Sequence, residues 1–235
     1  MREFGVDEAG KGPVLGSMFA AAVVADPAEL PGDVGDSKGI PHERREELAA
    51  EICEVAAAVG VAEIPVERID DEATDMNSLT VAAQAEALSV AMADIDSGDV
   101  DGTLSGYVDA GDTNAVRFER RVSEGVADRL DDASPDVRAE HGADETYPVV
   151  GAASIVAKVE RDAHVAALAA EHGDVGSGYP SDPATRKFLE GYVAEHGALP
   201  PCARASWKTS QDALAAATQS SLGEFEPEPT TPDDF

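Results

Sequence analysis

Two apolar runs near the start, "REFGV" and "VLGSMFAAAVV", flank a glycine-rich turn, and this pairing commits the beginning of the chain to a sheet. Short apolar runs bounded by glycine and proline read as β-strands. Helical patterns follow. "PHERREELAAEICEVAAAVG" has proline at the first helical position, helical apolar spacing and a terminal glycine. "GVAEIPV" reads as a third strand, "SLTVAAQAEALSVAMADI" as a long buried helix and "LSGYVDA" as a short strand. "NAVRFERRVSEGVADRL" then reads as an amphipathic helix and "DVRAEHG" as a weaker last strand. From "PVVGAASIVAKVERDAHVAALAAEHG" onward the pattern is helical, interrupted by the loop "GSGYPSDP". Leading strands, then strands alternating with helices, imply an α/β fold: a mixed five-stranded sheet flanked by helices, with a helical C-terminal portion.

With 235 residues the chain suits one domain, or one domain with an appendage. The folded domain is expected over residues 1–217, its helical portion starting at about residue 160. Residues 218–235 contain the acidic, proline-rich stretch "GEFEPEPTTPDDF" and are expected to form a disordered tail. The net charge is −30, from 47 acids against 17 bases. Such a charge ordinarily argues against nucleic acid, whose partners carry a basic footprint. Here the excess sits in surface-type segments such as "VADRLDDASPDV", while apolar content stays high. That points to adaptation to a high-salt cytoplasm, where screened carboxylates keep a protein soluble. Against this background the few lysines, Lys11, Lys38, Lys158, Lys187 and Lys208, become informative. Cys53 and Cys202 have neither disulfide-framework nor metal-type spacing, which fits a reduced interior. The start "MREFGVDEAG" lacks a signal-peptide pattern, and "MFAAAVVA" is far too short to span a membrane. A soluble, cytoplasmic protein is expected.

Asp7 and Glu8 follow one strand and Asp109 ends another, and ligands of α/β sheets gather at the carboxyl ends of strands. Converging carboxylates repel one another, and Mg²⁺, a hard ion preferring oxygen, removes that penalty. Neighbours on a regular strand point to opposite faces, so Asp7 and Glu8 share a site only if the strand ends or bends there. Gly10 and Gly12 make a bend easy. On spacing alone, surface charge is the better reading of any single acid, and the three together do not decisively beat it.

The stretches "GVDEAGKGPVLGSM", "DSKG", "YVDAGDTNAVRF", "HGADETYPVVGAASIVAKVERD" and "GSGYPSDPATRKFLEGY" resemble, in order, the motifs of ribonuclease HII, particularly its archaeal branch. The likeness runs from about residue 3 to Lys208. It implies a ribonuclease H-like fold, a monomer and a metal-dependent endonuclease using two Mg²⁺ or Mn²⁺ ions. The implied substrates are RNA–DNA hybrids and DNA duplexes with single embedded ribonucleotides. Incision is implied on the 5′ side of the ribonucleotide, leaving 3′-hydroxyl and 5′-phosphate ends.

Carried over by position, the resemblance implies Asp7, Glu8, Asp109 and Asp144 as catalytic, metal-holding acids. Glu145 competes with Asp144, and Asp112 with Asp109. Gly10, Lys11 and Gly12 are implied to bring bare backbone against the ribose 2′-hydroxyl. The family's usual arginine at the middle position is Lys11 here, which loses the planar fork of donors. Tyr179 is implied to stack beside the ribonucleotide. Lys38, with Ser154 and Lys158 one helical turn apart, is implied to contact phosphates. His141, near Asp144, reads as structural. In the tail, Gln219, Leu222 and Phe225 of "QSSLGEF" resemble a box that binds a sliding clamp. Two rivals remain: a ribonuclease HIII-like enzyme that prefers RNA runs, and a non-catalytic adaptor for clamp and DNA.

Overall fold

The computed structural model describes residues 1–36, 39–95, 104–130 and 135–223; of residue 36 and residues 220–223 it describes the backbone. Strands β1 (Glu3–Ala9), β2 (Met18–Ala25), β3 (Ala58–Ile64), β4 (Ser105–Asp109) and β5 (Asp136–Glu140) form one sheet in the order β3-β2-β1-β4-β5. The first three strands pair antiparallel, and β1, β4 and β5 pair parallel. Parallel neighbours need crossovers, which α3 (Met76–Ala93) and α4 (Ala115–Ala127) provide. The expected mixed five-stranded sheet is therefore present.

Helices cover both faces. Every residue of β2 is buried, which its unbroken apolar run requires. On one face Phe4 and Val6 pack with Leu88 of α3 and Phe118 of α4. On the other, α1 (His42–Val55) and α6 (Pro148–His172) supply Leu48, Ile52, Val149 and Ile155. α6 lies directly on β1, so that a Cβ at Gly5 would stand 2.2 Å from the Val149 carbonyl carbon. The early part of α6 is accordingly small and apolar, and it is buried continuously from Val149 to Ala157.

A third cluster holds the C-terminal portion together, where Val14 and Leu15 meet Leu189 and Val193 of α7 (Pro183–His196) and Ala213 of α8 (Lys208–Gly223). Asp182 caps α7 by accepting from the Ala184 amide, with Pro183, the last residue of the expected loop, at the first helical position.

Three boundaries differ from expectation. The first helix stops at Val55, and Ala58 begins β3 by pairing with Val24. Alanines suit either state, and pairing along β2 decides. The second strand begins at Met18 rather than Val14. The Val14 and Leu15 amides both bond Gly178 O, so this stretch belongs to the C-terminal cluster. Finally, α8 continues to Gly223, beyond the expected end of the folded part at residue 217, so Gln219 and the backbone of Leu222 are helical. Phe225 and Lys38 lie outside the described residues. Among the described residues no helix is long and apolar enough to cross a membrane.

Candidate active site

β1 sets the geometry. It stays regular through Ala9, and the chain turns only at Gly10, whose φ of +89° favours glycine. The bend that would turn Asp7 and Glu8 to one side is therefore absent, and the two acids straddle the end of the sheet. Asp7, on the α6 face, is buried and bonded to Ser154. Glu8, on the α3 face, accepts from Gln84 Nε2 at 2.6 Å. Asp109 ends the adjacent parallel strand, one residue beyond the Val6–Val108 pair, and its charge is felt by both acids. The Ala143 amide donates to Asp109 Oδ1 at 2.8 Å, which brings α5 (Ala143–Thr146), with buried Asp144, alongside.

The two contested positions separate by environment. Glu145 is exposed whereas Asp144 is buried. Asp112 is held by Arg117 at 3.1 Å, which keeps its carboxyl below the usual carboxylate range. His141 approaches Ala110 O at 3.3 Å, a structural contact.

Two carboxylates buried side by side are costly to ionise. Burial first, then Glu8, pushes the Asp7 carboxyl well above its ordinary range, against the Ser154 bond. Burial likewise raises Glu8 to about 7, opposed by the Gln84 bond and the Lys11 charge. Among the described residues no three acid, histidine or cysteine side chains are drawn into a ready-made metal cage. The donor chemistry nevertheless fits a hard divalent cation, since oxygen-only acids crowd one strand end and repel there. A cation would compete with protons for Asp7 and Glu8. In the metal-free protein the raised Glu8 carboxyl stabilises the fold below the ordinary carboxylate range, a contribution that fades as pH rises through about 7, and the raised Asp7 acts in the same direction. Mg²⁺ should accordingly release protons on binding, and the rise in Tm it causes should grow with pH through about 7. Thermal unfolding with and without Mg²⁺, at fixed KCl, checks this; a pH-independent rise would contradict it.

Glu8 opens into a cleft of about 460 Å³ lined also by Gly10, Lys11, Gly12, Lys158 and Tyr179, together with Arg45, Arg161 and Asp162. Four cations in one cleft make a local basic footprint on a chain of net charge −30. Tyr179 stands beside Gly12, where an added Cβ would meet its Cε1 at 3.7 Å, and the Arg161 guanidinium lies 5.0 Å from its ring centre. Lys11 turns back, its Nζ donating to Gly111 O at 2.5 Å beside Glu8. Ser154 is fully buried and accepts from Lys158 Nζ at 2.6 Å, so its hydroxyl supports Asp7, whereas Lys158 lines the cleft.

The ribonuclease HII family model matches residues 4–210. The chain belongs to the ribonuclease HII family. It is 67% identical over 222 residues to the ribonuclease HII of Haloarcula marismortui, covering 94% of this chain and 99% of that one. Among solved structures it resembles the ribonuclease H2 of Pyrococcus horikoshii, with a TM-score of 0.81, 32% identity and coverage of 93% and 100% of the two chains. It also resembles the Archaeoglobus fulgidus enzyme in the structure of a PCNA:RNase HII complex, with a TM-score of 0.76, 37% identity and coverage of 90% and 96%. The ribonuclease H-like fold and an endoribonuclease of RNA–DNA hybrids follow from membership, and the acidic composition matches relatives from halophilic archaea. As a ribonuclease HII the chain is an enzyme, which removes the non-catalytic adaptor.

Some site residues escape sequence reading. Gln84, fully buried, bonds both Glu8 and Asp109 O, and its Oε1 has no partner among the described residues. Its signal was a lone glutamine inside the alanine-rich run "TVAAQAEAL". Arg45 and Arg161 enter the cleft from α1 and α6; Arg161 lies within the stretch ending "KVERD" but is not singled out there, and nothing in the segment of Arg45 marks it.

Proposed function

We propose that this ribonuclease HII incises duplex DNA on the 5′ side of a single embedded ribonucleotide, as well as the RNA strand of hybrids, leaving 3′-hydroxyl and 5′-phosphate ends. One observation carries the reading: Glu8 at the end of β1, the turn at residues 10–12 and Tyr179 line one cleft. In this reading Asp7, Glu8, Asp109 and Asp144 hold two divalent ions, Mg²⁺ or Mn²⁺. When bound, such a pair neutralises charge at phosphorus and activates a water for in-line displacement. The amides of the 10–12 turn meet the 2′-hydroxyl, and the Tyr179 ring supports the adjoining sugar or base. Lys158 and Arg161 draw the phosphate backbone into the cleft, and Lys38 is assigned the same role. Gln84 holds Glu8 against the strand end, and Ser154 does the same for Asp7.

A duplex with one ribonucleotide, compared with one carrying an RNA run, tests this reading. Mg²⁺-dependent incision of both is expected, with the first cut on the 5′ side of the ribonucleotide. Incision of the run alone would favour the ribonuclease HIII-like preference.

The clamp reading rests on Gln219, Leu222 and Phe225 and is supported by the Archaeoglobus fulgidus complex with PCNA. Gln219 is exposed near the end of α8. Phe225→Ala is expected to weaken binding to an archaeal sliding clamp by about tenfold, the usual scale for removing a buried aromatic anchor, with incision unchanged. Unaltered affinity in a binding titration would remove the motif.

A further inference from the structure

Arg204 is the largest side chain fully buried in the fold, and its hydrogen bonds run to carbonyl oxygens rather than to a carboxylate. Its Nη2 donates to Gly10 O at 2.6 Å, Nη1 to Lys11 O at 3.0 Å and Nε to Gly16 O at 2.9 Å. Next along the chain, Trp207 lies 4.9 Å beneath the guanidinium and donates its Nε1 to Gly12 O at 3.3 Å. Every carbonyl of the 10–12 turn is thus held by this one segment. The segment is itself anchored: the Arg204 amide donates to Val14 O, Leu15 bridges to Ala203, and Asp70 accepts from the Ala205 and Ser206 amides.

A trans peptide sets its C=O and N–H in opposite directions. Drawing Gly10 O and Lys11 O inward onto Arg204 therefore turns the Lys11 and Gly12 N–H groups outward. Among the described residues these two amides have no hydrogen-bond partner. Burying a guanidinium is expensive unless its donors are used; the Asp70 charge offsets part of that cost, and two of the three bonds go to the carbonyls of the 10–12 turn, with the third to Gly16 O. Arginine's fixed fork spans three carbonyls, which the single ammonium of lysine cannot do.

We propose that Arg204 is a positioning residue for substrate choice: acting through the carbonyls of residues 10, 11 and 16, with Trp207 on residue 12, it presents the amides that recognise a ribose hydroxyl. This rests on the reading of the 10–12 turn as the ribose-facing element.

The test compares affinity for a duplex carrying one ribonucleotide with affinity for the same duplex in all-DNA form. Fluorescence anisotropy is measured in EDTA, at the lowest KCl that keeps the protein folded. The wild-type protein is expected to prefer the ribonucleotide duplex. Arg204→Met is expected to lose about tenfold of that preference, the scale for one or two misdirected hydrogen bonds, with all-DNA affinity within about twofold of wild type. Arg204→Lys should fall between. A purely structural role would lower Tm and both affinities together and leave the ratio unmoved; an unchanged ratio in folded Arg204→Met overturns the proposal. Should Arg204→Met fail to fold, Trp207→Phe removes the indole N–H from Gly12 O while keeping a smaller aromatic ring beneath the guanidinium, and carries the same test, with about a threefold loss expected for one weaker bond. An unchanged ratio there also overturns it. A wild-type protein with no preference would instead overturn the reading of the turn itself.

Discussion

Asp7→Asn is expected to leave a folded protein that no longer cuts. Asparagine keeps the shape and one acceptor oxygen but removes the anion. Asp7 is buried at the end of the central strand, where burial and the charges of Glu8 and Asp109 oppose its ionisation. Removing that charge relieves repulsion in the metal-free protein, so its Tm should hold or rise. The same change removes a hard oxygen ligand from a site whose other members are also carboxylates, and Mg²⁺-dependent incision should fall by about 10³-fold or more. The rise in Tm caused by Mg²⁺ should shrink in parallel. The two readouts must separate, because a variant that loses both fold and activity would say nothing about a metal. Near-normal turnover in a folded Asp7→Asn protein would contradict the assignment.

Salt should have a comparably large effect on the whole molecule. With a net charge of −30, each surface carboxylate feels many others when the screening length is long. That length is about 30 Å in 0.01 M salt and about 3 Å at 1 M. Local pairing does not offset the excess: Arg44 alone is shared by Asp33, Glu47 and Glu51. Several kcal/mol of unscreened repulsion moves the Tm of a domain this size by about 2–4 °C per kcal/mol. Tm is therefore expected to fall by roughly 10–20 °C from molar KCl to dilute buffer, with activity lost over the same range. A thermal melt series in KCl checks this, and greatest stability at low salt would contradict it. High salt also weakens phosphate contacts. An enzyme working there must lean on short-range recognition, the role proposed for the 10–12 turn and Tyr179, which line one cleft.

Much of this arrangement was legible because it is local in sequence. The five strands followed from apolar runs and punctuation, and the acids at residues 7 and 8 sit beside their glycine turn within one short motif. The straddling of β1 was half legible, since strand alternation raised the difficulty, but only the pairing of Glu8 with Ala20 and Ala9 with Phe19 shows the strand continuing past it. Strand spacing did not mark Asp144, which only the resemblance supplied, because its place beside Asp109 depends on how β5 delivers the chain to α5. Ala56 to Gly60 carried no local signal strong enough to end a helix, and pairing with β2 settled it. Arg204 was illegible because its partners at residues 10, 11 and 16 lie at the far end of the chain.

The most direct test is anomalous diffraction from crystals of the Asp109→Asn protein and the wild type, each soaked in Mn²⁺ with a duplex carrying one ribonucleotide. The wild type should show Mn²⁺ peaks among the carboxylates of Asp7, Glu8, Asp109 and Asp144, with the ribose 2′-oxygen against the amides of residues 11 and 12. The variant should show weaker or missing peaks. Mn²⁺ held elsewhere on the acidic surface, with these four side chains unoccupied, would contradict the account.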